Sequence, residues 1–191
     1  MKYLLLIIAI AVTIFTACNN SNNNSSKKGS DKTQAKQEAP TVAATKATTP
    51  VNDILAGYLQ LKNALANDNG SDAAAAGNTM VGAFQKFNKS VLTAAQKKVY
   101  EDVEDDAREH AEHIGKNADN VPHQREHFDM LSKDMYELVK TFGGGQNLYQ
   151  DYCPMFNDGK GATWLSESKE IRNPYLGKKM PTCGTVKEEL K

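Results

Sequence analysis

The chain has no surplus charge: its 23 Lys and Arg residues are matched by 23 Asp and Glu residues among 191 in all. Adjacent basic residues occur only as isolated pairs, such as Lys27-Lys28, Lys97-Lys98 and Lys178-Lys179. Nucleic acid is bound through a concentrated basic face, and its absence excludes DNA and RNA as partners. No apolar run reaches the roughly twenty residues that a membrane-spanning helix needs. The longest, Tyr3 to Phe15, is thirteen residues long and interrupted once by Thr13. No Ser, His and Asp constellation stands out. The glycine run Gly143-Gly144-Gly145 follows a helical pattern instead of preceding one, so it reads as a helix stop and not as a phosphate cradle. Tryptophan occurs once, cysteine three times and histidine four times, so any chemistry must be sought in few residues.

The apolar run has a positive charge before it at Lys2 and small residues after it, Thr16 and Ala17, immediately before Cys18. This is the layout of a cleaved export signal over residues 1–17. Phe15-Thr16-Ala17-Cys18 resembles the bacterial lipobox, in which the cysteine is acylated and becomes the new N-terminus, although an aliphatic residue is commoner where Phe15 stands. Cys18 is therefore the expected lipidation site, and the expected location is outside the cytoplasm, lipid-anchored to a bacterial membrane. Losing Lys2 leaves one more acidic than basic residue. Residues 19–50 carry a single large aliphatic side chain, Val42, amid Asn, Ser, Lys, Thr, Gln, Ala and Pro. Such a stretch cannot bury enough surface to order itself, and as a flexible linker it has a root-mean-square span of roughly 30 Å. Residues 18–50 thus read as a lipidated tether.

The rest, residues 51–191, suits one domain. Apolar residues recur at three and four in four stretches. The first holds Ile54, Leu55, Tyr58, Leu61 and Leu65, with a start at Thr49-Pro50. The second holds Ala76, Met80, Phe84 and Phe87, capped by Ser71 or Asp72. The third, capped by Thr93, holds Val99, Val103, Ala107, Ala111 and Ile114. The fourth starts at Asn120 with Pro122, holds Phe128, Leu131, Met135, Leu138 and Phe142, and stops at the glycine run. The expected fold is mainly α, an antiparallel four-helix bundle over residues 51–145. Residues 146–191 add a hairpin, Tyr149 to Phe156 and Ala162 to Leu165 around Asn157-Asp158-Gly159-Lys160-Gly161, and then an irregular tail packed on the bundle.

Sulfur concentrates in that last part. On an extended strand Cys153 and Met155 point to one face, and Met180 and Cys183 can converge from one turn. Thiolate and thioether are ligands for Cu(I), and imidazole can complete such a set. On the third helix His110 falls on the core-facing stripe and His113 near its edge; on the fourth, His123 and His127 are four apart. Both helices can aim imidazoles toward one end of the bundle. His110 and His113 also read as partly buried histidines without a ligand role, and His127 stands between the two readings. Cys153 and Cys183, the only cysteines left once Cys18 is assigned, could equally form a disulfide in an oxidising compartment or remain inert thiols. The methionines alone would pass as core filler.

Tyr152-Cys153-Pro154-Met155, Gly161-Ala162 with Trp164-Leu165-Ser166, Ile171-Arg172-Asn173-Pro174-Tyr175 with Gly177, and Met180 with Cys183-Gly184 resemble a domain of unknown function found in bacterial lipoproteins. The same domain is found attached to periplasmic adaptors of copper and silver efflux pumps. Gln124-Arg125-Glu126-His127-Phe128 with Leu131-Ser132 is similar to its upstream signature, whereas the first two helices agree in pattern only. The resemblance covers most of residues 51–191. It implies a periplasmic heavy-metal context, with a metal-efflux system as partner and Cys153, Met155, Met180 and Cys183 as ligands.

His123-Gln124-Arg125-Glu126-His127 also fits H-x-x-E-H, the zinc arrangement of inverted zinc peptidases with Glu126 as general base. A third ligand would have to come from Glu167, Glu170, Glu188 or Glu189 in the irregular tail. The sequence reading is accordingly a non-enzymatic, membrane-tethered binding protein for Cu(I) or a similar soft ion, with Cys153, Met155, Met180 and Cys183 as ligands and His127, His123 and His110 as imidazole candidates. Zinc is the secondary choice of ion. The competing readings are a module clamped by a Cys153 to Cys183 disulfide and a zinc hydrolase.

Overall fold

The computed structural model describes residues 49–191. The expected export signal, Cys18 and the expected tether up to residue 48 lie outside the described residues. Four helices come first: α1 (Asn52–Ala66), α2 (Gly70–Lys86), α3 (Ala94–Lys116) and α4 (Val121–Phe142). Three strands follow: β1 (Leu148–Cys153), β2 (Ala162–Ser166) and β3 (Thr185–Leu190). The fold is the expected helical bundle with a C-terminal hairpin. Each helix packs on its neighbours in sequence, and α4 also packs on β2.

Local chemistry sets the helix ends. Thr93 and Gln96 form a reciprocal capping box at the start of α3, satisfying two backbone donors that the helix cannot. The Asn120 side chain accepts from the His123 N–H at the start of α4, with Pro122 in its first turn. Gly143 ends α4 at a φ of 76°, a conformation that costs a glycine little. At α2 the cap is Asn69, not Ser71 or Asp72. Asp68 adopts a left-handed turn, φ 55°, and the Asn69 side-chain oxygen Oδ1 accepts from the Asp72 N–H at 3.0 Å, starting the helix at Gly70.

The core runs through both parts of the fold. Tyr58 of α1 stacks on Phe128 of α4 at 5.2 Å, and its hydroxyl bonds Ser132 at 2.8 Å while accepting from the Leu165 N–H of β2 at 3.0 Å. One fully buried phenol thus ties two helices to the sheet. Arg125 performs a similar task at the surface. It donates to the Pro174 carbonyl at 2.7 Å and the Leu65 carbonyl at 3.0 Å, and pairs with Asp68. Two burials go beyond the apolar pattern. Tyr100, next to the expected Val99, is fully buried and stacks on Phe87 at 4.1 Å. Lys62 is buried and bridges to Glu167 at 2.9 Å.

The sheet order is β2-β1-β3, antiparallel throughout. The tail expected to be irregular therefore contributes a strand, with Tyr152 opposite Thr185 and Leu148 opposite Leu190. Its sequence, Thr-Val-Lys-Glu-Glu-Leu, has charged residues where alternation would put apolar ones, because β3 is an edge strand largely open to water. The hairpin is as expected, but β1 ends one residue before Pro154, which has no N–H to donate. Met155 consequently sits in the following turn, off the strand face that Cys153 occupies, and is 58% exposed.

Candidate metal centre

Four imidazoles gather where α3 runs into α4. His110 and His113 stand three apart on α3, and His123 and His127 four apart on α4, so each pair projects from one helix face. The two faces meet. The His113 and His127 rings stack at 4.3 Å between centroids, and His123 meets His127 edge-on at 4.6 Å. His110 Nδ1 lies 3.1 Å from His127 Nδ1, so one of these nitrogens donates and the other accepts. Ligand atoms of His113, His123 and His127 all lie within 4.8 Å of one another. A tetrahedral ion with bonds of about 2.0–2.1 Å would hold its nitrogens about 3.3 Å apart. Rotation of half-exposed rings can supply that difference.

All four histidines are only partly buried, which leaves one side of the cluster open to solvent. Burial, followed by the repulsion of His113, His123 and His110, pushes the His127 pKa down to about 4. Burial is also the main cause of the lowered pKa of His110, opposed by Asp106 and Glu109. At neutral pH these two rings are therefore neutral: the ring that donates its Nδ1–H keeps a free Nε2 lone pair, which is the state a metal takes, and the other ring spends its lone pair accepting that bond. Acidic groups stand behind the outer rings: Glu126 is 3.5 Å from His123 Nδ1, and Glu109 is 3.7 Å from His113 Nε2. A carboxylate in that position can orient an imidazole.

The sulfur set divides differently. Cys153 is fully buried and Cys183 partly buried, with the two Sγ atoms 3.2 Å apart. Met180 is 39% exposed and Met155 more so, whereas Cys153 has no contact with solvent. Among the described residues, the one group of three or more His, Cys, Asp or Glu with mutually close ligand atoms is His113, His123 and His127. The cysteines thus form a pair of their own, and the expected mixed sulfur and imidazole set is two separate groupings. His113, expected only at the edge of the α3 stripe, is a full member of the cluster. The signal for it was the pairing of i, i+3 on one helix with i, i+4 on the next.

Residues 54–147 match the sequence model of a family described as a protein of unknown function (DUF3347). The match spans the helices and all four histidines and stops before β1, so it bears on the helical part of the resemblance and not on the Cys and Met motifs. No curated protein and no solved structure matches the chain.

Proposed function

We propose that this chain is an exported, lipid-tethered protein whose helical domain binds a transition-metal ion through the imidazoles of His113, His123 and His127, with His110 as fourth ligand or as hydrogen-bond partner of His127. The convergence of three ligand nitrogens within 4.8 Å carries the reading. An all-imidazole set suits copper and zinc, and among divalent ions such a set holds copper most tightly. The sequence motif at residues 15–18 supports the lipid tether, and the resemblance to domains attached to copper and silver efflux adaptors supports a role in heavy-metal handling. The open side of the cluster suits an ion that is passed on to a partner. Cu(I) remains within this reading as the reduced form of the same cargo.

X-ray absorption of the copper-loaded protein tests it. Nitrogen scatterers alone, with the multiple-scattering pattern of imidazole, are expected; sulfur in the first shell would refute the assignment.

A second reading draws on one observation. His113 supplies to the His123-x-x-Glu126-His127 motif a third imidazole, as a zinc hydrolase would require. Against it, Glu126 faces the ring nitrogen of His123, and none of the four histidines lines the cleft of about 530 Å³ beside Arg125, Phe156 and Tyr175. Zinc-dependent peptide cleavage that disappears in Glu126→Gln would favour the hydrolase.

A further inference from the structure

The cysteine pair stands apart from the imidazoles and is held by backbone. Thr185 pairs with Tyr152, so continuing that antiparallel register brings Gly184 opposite Cys153 and Cys183 beside it. The stretch leading to Cys183 is pinned by Asn173, itself fully buried. Its amide donates to the Cys183 carbonyl at 2.6 Å, its backbone N–H donates to Pro181, and its side-chain oxygen accepts from Tyr175 and Leu176. Cys183 N–H also closes a turn onto Met180 at 3.2 Å. The thiols are consequently in contact because the chain puts them there.

We propose that Cys153 and Cys183 form a reversible dithiol–disulfide pair that locks the C-terminal tail to β1. The pair lacks a third Cys, His, Asp or Glu ligand atom beside it among the described residues, and Cys153 itself has no exposure to solvent. A disulfide needs neither. The oxidant is a disulfide of the thiol-exchange class, whether of glutathione or of a protein oxidoreductase. Cys183, the accessible member, gives up its proton and attacks that disulfide, forming a mixed disulfide and expelling one thiolate. Cys153 then gives up its proton and attacks the Cys183 sulfur, expelling the second thiolate as the internal bond forms. Two thiols and one disulfide become one disulfide and two thiols, and the two protons go to the departing sulfurs or to water. Closing a loop of this length should raise the melting temperature by about 10 °C.

The test uses the full chain, freed of metal with a chelator so that its outcome is independent of the histidine cluster. After incubation with oxidised glutathione, alkylation and digestion, a linked peptide pair containing Cys153 and Cys183 is expected, with a loss of two hydrogens in the intact mass. The melting temperature should rise by about 10 °C and fall back with dithiothreitol, and Cys183→Ser should abolish the rise. Full alkylation of both cysteines after oxidation, or a bridge that includes Cys18, would overturn the proposal. So would one Cu(I) ion held per reduced cysteine pair in protein that carries His113→Ala and His127→Ala and keeps both cysteines. Should Cys183→Ser fail to fold, the peptide map of the unaltered chain decides alone.

Discussion

The histidine end of α3 and α4 and the sheet built on Cys153 answer to different demands, although both collect residues able to bind metal. At the histidine end the rings find their partners mainly in one another and stay partly open to water. Nothing in the helix packing requires four imidazoles there. At the sheet, Cys153, Trp164, Tyr175 and Leu165 are buried in the common core, and Tyr58 reaches across to join them. The first group is costly to assemble, since it crowds groups that repel one another when protonated, and cheap to remove. The second is the reverse. A cluster that does little for the fold is the better candidate for a ligand site.

The largest effect that would sharpen this contrast is on stability at the sheet. Trp164→Ala should cost about 3–5 kcal/mol, read by urea denaturation, because the ring is 1% exposed and packs against Tyr175. Metal affinity of the fraction that remains folded should be unaltered. A smaller loss, about 1–3 kcal/mol, is expected for Tyr58→Phe, which leaves the Leu165 N–H and the Ser132 hydroxyl without their shared partner. By contrast His113→Ala should change stability by less than about 1 kcal/mol while weakening copper binding at least tenfold; equal loss of both would erase the distinction between the two regions.

The two regions also differ in the sign of their pH response. His127 has a pKa of about 4 in the folded chain against an ordinary value near 6.5, so the unfolded chain binds the extra proton between those values. It contributes stability that is lost as pH falls from about 6.5 to about 4. Asp151, on β1, is fully buried with neither carboxylate oxygen bonded, and burial pushes its pKa up to about 7 against only partial relief from Lys62. There the folded chain binds the extra proton, so stability is lost as pH rises from about 4 to about 7. In metal-free protein the two trends oppose each other. Asp151→Asn should expose a stability that climbs with pH over that window, and His127→Gln one that declines, in denaturation series at pH 4.5, 5.5 and 6.5. Indistinguishable profiles for the two variants would show that neither group titrates as its surroundings require.

Much of this was legible in the sequence where one residue governs one local choice. Thr93, Asn120 with Pro122, and Gly143 each declare a helix end through their own side chain or its absence. Periodicity located the apolar faces of α1 and α4 because both press one stripe against the core. It was less informative for α3, where Tyr100 is buried and Val99 only partly so. β3 escaped notice because an edge strand needs no apolar alternation. The histidines could be placed on their helices, but how closely two faces approach depends on helix crossing, which no single-helix pattern contains. The expected shared strand face of Cys153 and Met155 failed for a similar reason. Cys153 and Met155 share a strand face only if the strand continues through Pro154, and it does not.

The central claim is that the imidazoles and not the sulfurs hold the ion. Copper affinity, measured by competition with a chromophoric chelator, should be compared in two double variants of the reduced protein. His113→Ala with His127→Ala is expected to lose at least a hundredfold in affinity, and Cys153→Ser with Cys183→Ser to stay within a factor of about three, which is about 0.7 kcal/mol. Tight binding surviving in the histidine variant and lost in the cysteine variant would contradict the account.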